Sequence, residues 1–165
     1  MESNAKFLGH PVHQQLIVFP LGLLGMAVIF DLVSFATKNA RWTEMAFYMI
    51  GAGMVTGLLA AIFGIVDWLA IPKNTRAKGI GTIHGVGNVI VVLLFAGSFY
   101  FRWQDTTNVS PVGYACSFLG FCSALFTGWL GGELVDRLGV GVDNGANLNA
   151  PSSLTSPSAR HRPAA

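Results

Sequence analysis

The chain has 165 residues, 52% of them hydrophobic and only 11% charged, with a formal net charge of +2. A charged share below half that of an ordinary soluble domain excludes a water-soluble globule, and four windows almost free of charge point to a membrane protein. The small positive balance sits on the flanks of apolar runs, so no nucleic-acid partner is implied.

Residues 1–15 form an N-terminal segment that ends in the motif His10-Pro11-Val12-His13. Proline tolerates the first turn of a helix, because its missing N–H would be unpaired there, and it biases His10 to an extended conformation. His13 is therefore expected on the first turn. The first apolar span, 16–35, follows Lys6 and could be taken for a signal peptide with Ala36 near its end. Its length and Asp31 argue instead for a retained membrane helix.

Further spans are predicted at 45–71, 80–103 and 112–135, each able to cross a hydrocarbon core of roughly 30 Å at about 1.5 Å per residue. Short connections leave no room for a soluble domain and favour an up-down-up-down order. The expected fold is all-α: one integral membrane four-helix bundle over 16–135. The tail, 136–165, changes to turn chemistry at Asp143-Asn144-Gly145 and ends in Ser, Pro and the basic Arg160-His161-Arg162, a composition expected to be largely disordered. Lys6, Lys73, Arg76, Lys78 and Arg137 flank one side and Lys38, Arg41 and Arg102 the other. That asymmetry places both termini in the cytoplasm.

In the second span, Gly53, Gly57, Ala60, Gly64 and Asp67 recur in steps of three and four, a small-residue face leading to a carboxylate. The third span opens with Gly81, His84 and Asn88 on one face, so the amide is placed to orient the imidazole. In the fourth, Ser117, Gly120, Ala124, Thr127 and Gly131 form the packing stripe. Glu133 lies about 120° from Thr127 at roughly 100° per residue and is expected to pair with Arg137. Cys116 and Cys122 point to different faces and read as packing residues.

With alternating helix directions, the start of spans one and three and the end of spans two and four share one side of the bundle. His10, His13, Asp67 and His84 can then converge, with Asn88 and Glu133 as neighbours. Asp31 is separated from His13 by eighteen helical residues, on the order of 27 Å. It is expected to pair with Lys38 or Arg41 at the outer surface. Sliding the chain on itself by 71 positions aligns His13 with His84, Thr56-Gly57 with Thr127-Gly128, Leu23 with Leu94 and Phe30 with Phe101. This suggests two duplicated helical hairpins with the histidines facing each other.

Gly9-His10-Pro11-Val12-His13, Phe19-Pro20, Gly64-Ile65-Val66-Asp67-Trp68, His84 with Asn88, and Gly128-Trp129-Leu130-Gly131-Gly132-Glu133-Leu134-Val135 resemble the motifs of the bacterial membrane family called domain of unknown function 2231. The likeness runs from Gly9 to Val142, and Asp136 and Leu138 replace a Tyr-x-His pattern associated with the end of the last span. The resemblance implies a multi-span protein of the bacterial inner membrane, and a redox setting, since some members are joined to Rieske iron-sulfur domains.

The favoured reading is a histidine site at one membrane face that binds haem b or a transition metal for electron transfer with a redox partner protein. Haem iron would take His13 and His84, with His10 as a further candidate, whereas iron, zinc or copper without haem would take His10, His13, Asp67 and His84. A proton or ion relay, in a small homo-oligomeric transporter, is the alternative, followed by a purely structural or interaction protein. No nucleophile elbow, paired carboxylates or P-loop occurs, so enzymatic turnover by this chain alone is not expected. The absence of CxxCH excludes covalent c-type haem.

Overall fold

A computed structural model describes residues 1–155, and the basic Arg160-His161-Arg162 run lies outside the described residues. Two short strands, β1 (Lys6–Phe7) and β2 (His10–Pro11), pair antiparallel across a Leu8-Gly9 turn in which both residues have positive φ. They lead into α1 (Val12–Leu16), α2 (Val18–Thr37), α3 (Arg41–Ala70), α4 (Arg76–Arg102) and α5 (Pro111–Gly132), which continues into a π-helical turn at Glu133–Arg137.

Local chemistry explains the boundaries. Pro20 has no N–H for the Leu16 carbonyl, and its ring crowds that carbonyl, which accounts for the break between α1 and α2 at Ile17. Together the two pieces make one apolar span, Val12–Thr37. Lys38 in the left-handed conformation ends α2, and Pro72 stops α3 by holding Ile71 extended. The Thr75 side chain accepts the Lys78 N–H to cap α4; Ser110 accepts the Gly113 N–H, with Pro111 at the first position of α5.

Four helices are long and apolar enough to cross a membrane. Their outer faces carry large exposed apolar side chains such as Leu58, Ile62, Leu93 and Phe126, a surface suited to lipid and unsuited to water. Inside, Leu24, Ala27, Val28, Ala46, Ile50, Val91 and Phe95 form the core. α2 packs along α3 and α4 along α5, and small residues permit the close approach. A Cβ on Gly53 would stand 2.6 Å from Leu24 Cδ2, and one on Gly120 2.9 Å from Phe95 Cε2.

These two contacts are one contact made twice. An offset of 71 residues carries Leu24 on α2 to Phe95 on α4, while an offset of 67 carries Gly53 on α3 to Gly120 on α5. The hairpins therefore repeat, but their second helices stand four residues, about one turn, away from the ungapped alignment.

Asp31 corrects an expectation. It does not pair with Lys38 or Arg41 at the surface: Arg102 grips it with two hydrogen bonds of 2.9 and 2.6 Å, and both side chains are fully buried. The reason is helical phase, since Leu24, Ala27, Val28, Asp31 and Ser34 share the inward face of α2. Ser98 accepts from the Arg102 Nε, and the Ser117 hydroxyl reaches Asp31. Asp31 and Arg102 are themselves 71 residues apart, so equivalent positions of the two hairpins meet face to face.

At the opposite end, the N-terminal segment and the chain after Arg137 lie on one another. The Gly141 N–H donates to the Met1 carbonyl, the Asn144 N–H donates to Glu2, and Lys6 pairs with Glu2 and Asp143. The part of the tail expected to lack order thus carries turns and contacts as far as Thr155. Lys6 draws the Glu2 carboxyl below its ordinary range by hydrogen bonding and charge, and Glu2 in turn raises the Lys6 ammonium.

Candidate functional site

His13 and His84 face each other in the half of the bundle nearer this end. Their ring centres are 6.5 Å apart and their planes nearly perpendicular, at 87°. His13 lies on α1 and His84 on α4, again at equivalent positions of the two hairpins.

Each ring is held in the same way by the other helix of its own hairpin. Nδ1 of His13 is 2.8 Å from the Ala60 carbonyl oxygen, and Nδ1 of His84 is 2.9 Å from the Thr127 carbonyl oxygen. A carbonyl only accepts, so both Nδ1 atoms carry the proton as donors and both Nε2 atoms keep a lone pair in the neutral ring. One turn beyond each acceptor stands a glycine that admits the ring. A Cβ on Gly64 would come within 2.9 Å of His13 Cε1, and one on Gly131 within 3.3 Å of His84 Cε1.

The two halves differ at Nε2. The Asn88 amide N–H donates to Nε2 of His84 at 3.1 Å and to the His84 carbonyl at 3.0 Å, while Asn88 Oδ1 accepts from the Thr127 hydroxyl at 3.0 Å. The offset of 71 places Ile17 where Asn88 would stand beside His13, and the offset of 67 places Ala60 opposite Thr127. Neither has a side-chain hydrogen-bonding group, and Nε2 of His13 has no hydrogen bond among the described residues.

The other candidates are engaged elsewhere. Asp67 accepts from the Ser3 hydroxyl at 2.6 Å and from the Asn4 N–H at 3.0 Å, tying the N-terminal segment to the end of α3. His10 lies in β2, with Nε2 3.3 Å from the Ser153 hydroxyl. Glu133 pairs across helices with Arg76, not with Arg137 one turn later, because the π turn and the start of α4 share this end of the bundle. Among the described residues, no three His, Cys, Asp or Glu side chains are grouped to hold a metal ion. Of the four-residue set of His10, His13, Asp67 and His84, only the two half-buried histidines face each other.

Sequence reasoning missed the parts played by Ala60, Gly64 and Thr127 in seating the rings, and by Arg102, Ser98 and Ser117 around Asp31. A signal was present for the ion pair, since Asp31 and Arg102 obey the same offset as the two histidines.

Four lipid-facing helices enclosing a polar pair of this kind define a multi-span membrane protein. The chain belongs to the family described as Predicted membrane protein (DUF2231), whose family model matches residues 9–144. No curated protein and no solved structure matches it.

Proposed function

We propose that this is a haem b protein of the bacterial inner membrane that passes electrons to a redox partner protein, with its termini and histidine end on the cytoplasmic side. The observation that carries the reading is the facing pair of imidazoles, 6.5 Å apart, each clamped through Nδ1 to a carbonyl. That clamp fixes the tautomer in which Nε2 is the ligand atom and raises its basicity. Two imidazoles sharing one ion through metal–nitrogen bonds of about 2 Å would hold their ring centres roughly 6 Å apart, a separation close to that of this pair.

Haem iron already has four equatorial nitrogen ligands, so it needs only two from the protein and supplies one-electron chemistry when bound. A bare metal ion needs more donors than the described residues bring together at this end of the bundle. His13 is available as it stands, and His84 becomes available when the Asn88 amide turns aside. A transmembrane relay is the weaker reading: Leu24, Val28, Val91 and Phe95 fill the core between the histidines and the Asp31–Arg102 pair, and His84 and Arg102 are about 27 Å apart along α4.

The test is an absorption spectrum of the full chain purified in detergent, before and after dithionite, with iron measured on the same sample. A Soret band that shifts on reduction is expected, lost in both His13→Ala and His84→Ala while helicity by circular dichroism is retained. A folded, iron-free protein that also takes up no added hemin would overturn the proposal.

A further inference from the structure

The two hairpins repeat their scaffold but not their chemistry, and the difference is confined to one side of the histidine pair. His13 and His84 share the carbonyl clamp and the admitting glycine, yet only His84 has a donor on its second nitrogen. The Asn88 side chain is fully committed in that position. One amide hydrogen goes to Nε2 of His84 and the other to the His84 carbonyl, while Oδ1 takes the Thr127 hydroxyl. Turned over, the amide would set its oxygen against two acceptors, the Nε2 lone pair and the His84 carbonyl, even though the Thr127 hydroxyl could then accept from its nitrogen and keep its own proton on the Ala124 carbonyl. The network thus has a single consistent arrangement, and it occupies the lone pair that a ligand would use.

We infer that Asn88 and Thr127 form a latch that withholds Nε2 of His84, so that the site takes its ligand through His13 first and through His84 only after the Asn88 amide is displaced. The use of the latch rests on the histidine pair being a ligand site, as proposed above. Its existence does not, because the asymmetry belongs to the chain itself. The class of ligand that would release it is one that bonds to imidazole more strongly than an amide N–H does, which is a transition-metal centre. A hydrogen-bonding solute would gain nothing over Asn88. The site would then have two states, one-handed and two-handed, and Asn88 would be a positioning residue for His84.

The experiment uses the full chain, stripped of metal in detergent, and diethyl pyrocarbonate, which acylates a free imidazole nitrogen. Modification of each histidine is followed over time by mass spectrometry. In the wild-type protein His13 should react and His84 lag by roughly five- to tenfold, the factor expected for one protecting hydrogen bond. Asn88→Leu keeps the volume and removes the donor, and Thr127→Val removes the hydroxyl that orients it. Both should raise the rate at His84 and leave His13 unchanged, whereas Asn88→Gln, which can still donate, should restore part of the lag. Equal rates in the wild-type protein, or a His84 rate unmoved by Asn88→Leu, would overturn the latch. The reactivities are read without haem, so a protein that never takes up hemin would overturn the proposed function and leave this result standing.

Discussion

Replacing Asp31 by Asn should be among the most damaging single changes in the chain. Arg102 has no exposed surface, and its guanidinium places two hydrogen bonds on Asp31, one on Ser98 and a long one of 3.5 Å on Ser117. Removing the carboxylate charge leaves a buried cation whose only remaining acceptors are neutral. Breaking one side of a buried pair costs about 3–5 kcal/mol, while replacing both partners with apolar groups of similar volume is often neutral. For a chain of this size that cost corresponds to a fall in melting temperature of roughly 6–20 °C. Thermal unfolding in detergent, followed by tryptophan fluorescence, should show that fall for Asp31→Asn and most of it regained in Asp31→Leu with Arg102→Met. The exchanged pair, Asp31→Arg with Arg102→Asp, should regain less. Ala27 and Ile50 occupy the positions equivalent to Ser98 and Ser117, so a guanidinium at position 31 loses the hydroxyl acceptor on its own helix and keeps only Ser117, which already reaches that position. A single substitution no worse than the double, or an exchange as stable as the wild-type protein, would refute this account of how the hairpins are joined.

Three further outcomes are expected. Gly64→Ala should unseat His13, since its Cβ would lie 2.9 Å from the ring, and cost about 1–3 kcal/mol; Gly131→Ala, at 3.3 Å, should disturb His84 less. Comparing hemin uptake and melting temperature in the two variants checks that order. Asp67→Ala should release Ser3 and Asn4 at a cost of about 1–3 kcal/mol, making the segment before α1 the first site of limited proteolysis while hemin stoichiometry holds; loss of hemin with the segment still protected would contradict an anchoring role. The contact between the N-terminal segment and the tail should loosen in acid. Glu2 titrates below its ordinary value because of Lys6 and the Asn144 N–H, so its contribution is present at neutral pH and lost as pH falls through that lowered value. The raised Lys6 loses its part only in the alkaline range. Hydrogen exchange at the Asn144 amide, corrected for intrinsic rate, should accelerate on the acid side, and flat protection there would speak against it.

Hydropathy was enough to find four spans, because an apolar run of this length has few other fates, and helix direction alone put the two histidines at one end. What pattern could not supply was partner choice among residues at the same depth. Depth and the small-residue face both direct Asp67 toward the histidines, but its nearest donors, Ser3 and Asn4, come from an N-terminal segment with no periodicity to read. Glu133 was assigned to Arg137 by local spacing, whereas the π turn and an adjacent helix favoured Arg76. For Asp31, linear distance points to the nearby cations Lys38 and Arg41 and hides Arg102, which lies 71 residues away in sequence and directly across the bundle. The ungapped offset placed the first helices of each hairpin correctly and the second ones a turn out of step, since a separation between equivalent positions that is shorter by four residues in the second hairpin leaves no trace in hydropathy.

Asp31 and Arg102 occupy one position of a repeated scaffold with opposite signs. A hairpin that met a copy of itself in that orientation would set acid against acid, or guanidinium against guanidinium, at a depth where neither can be hydrated. Each half can thus recognise only the other, and the first half, once inserted, holds an unanswered carboxylate until α4 arrives. The same contact that joins the finished bundle would act earlier as a proofreading mark, disfavouring the pairing of two like hairpins from neighbouring chains in a crowded bilayer.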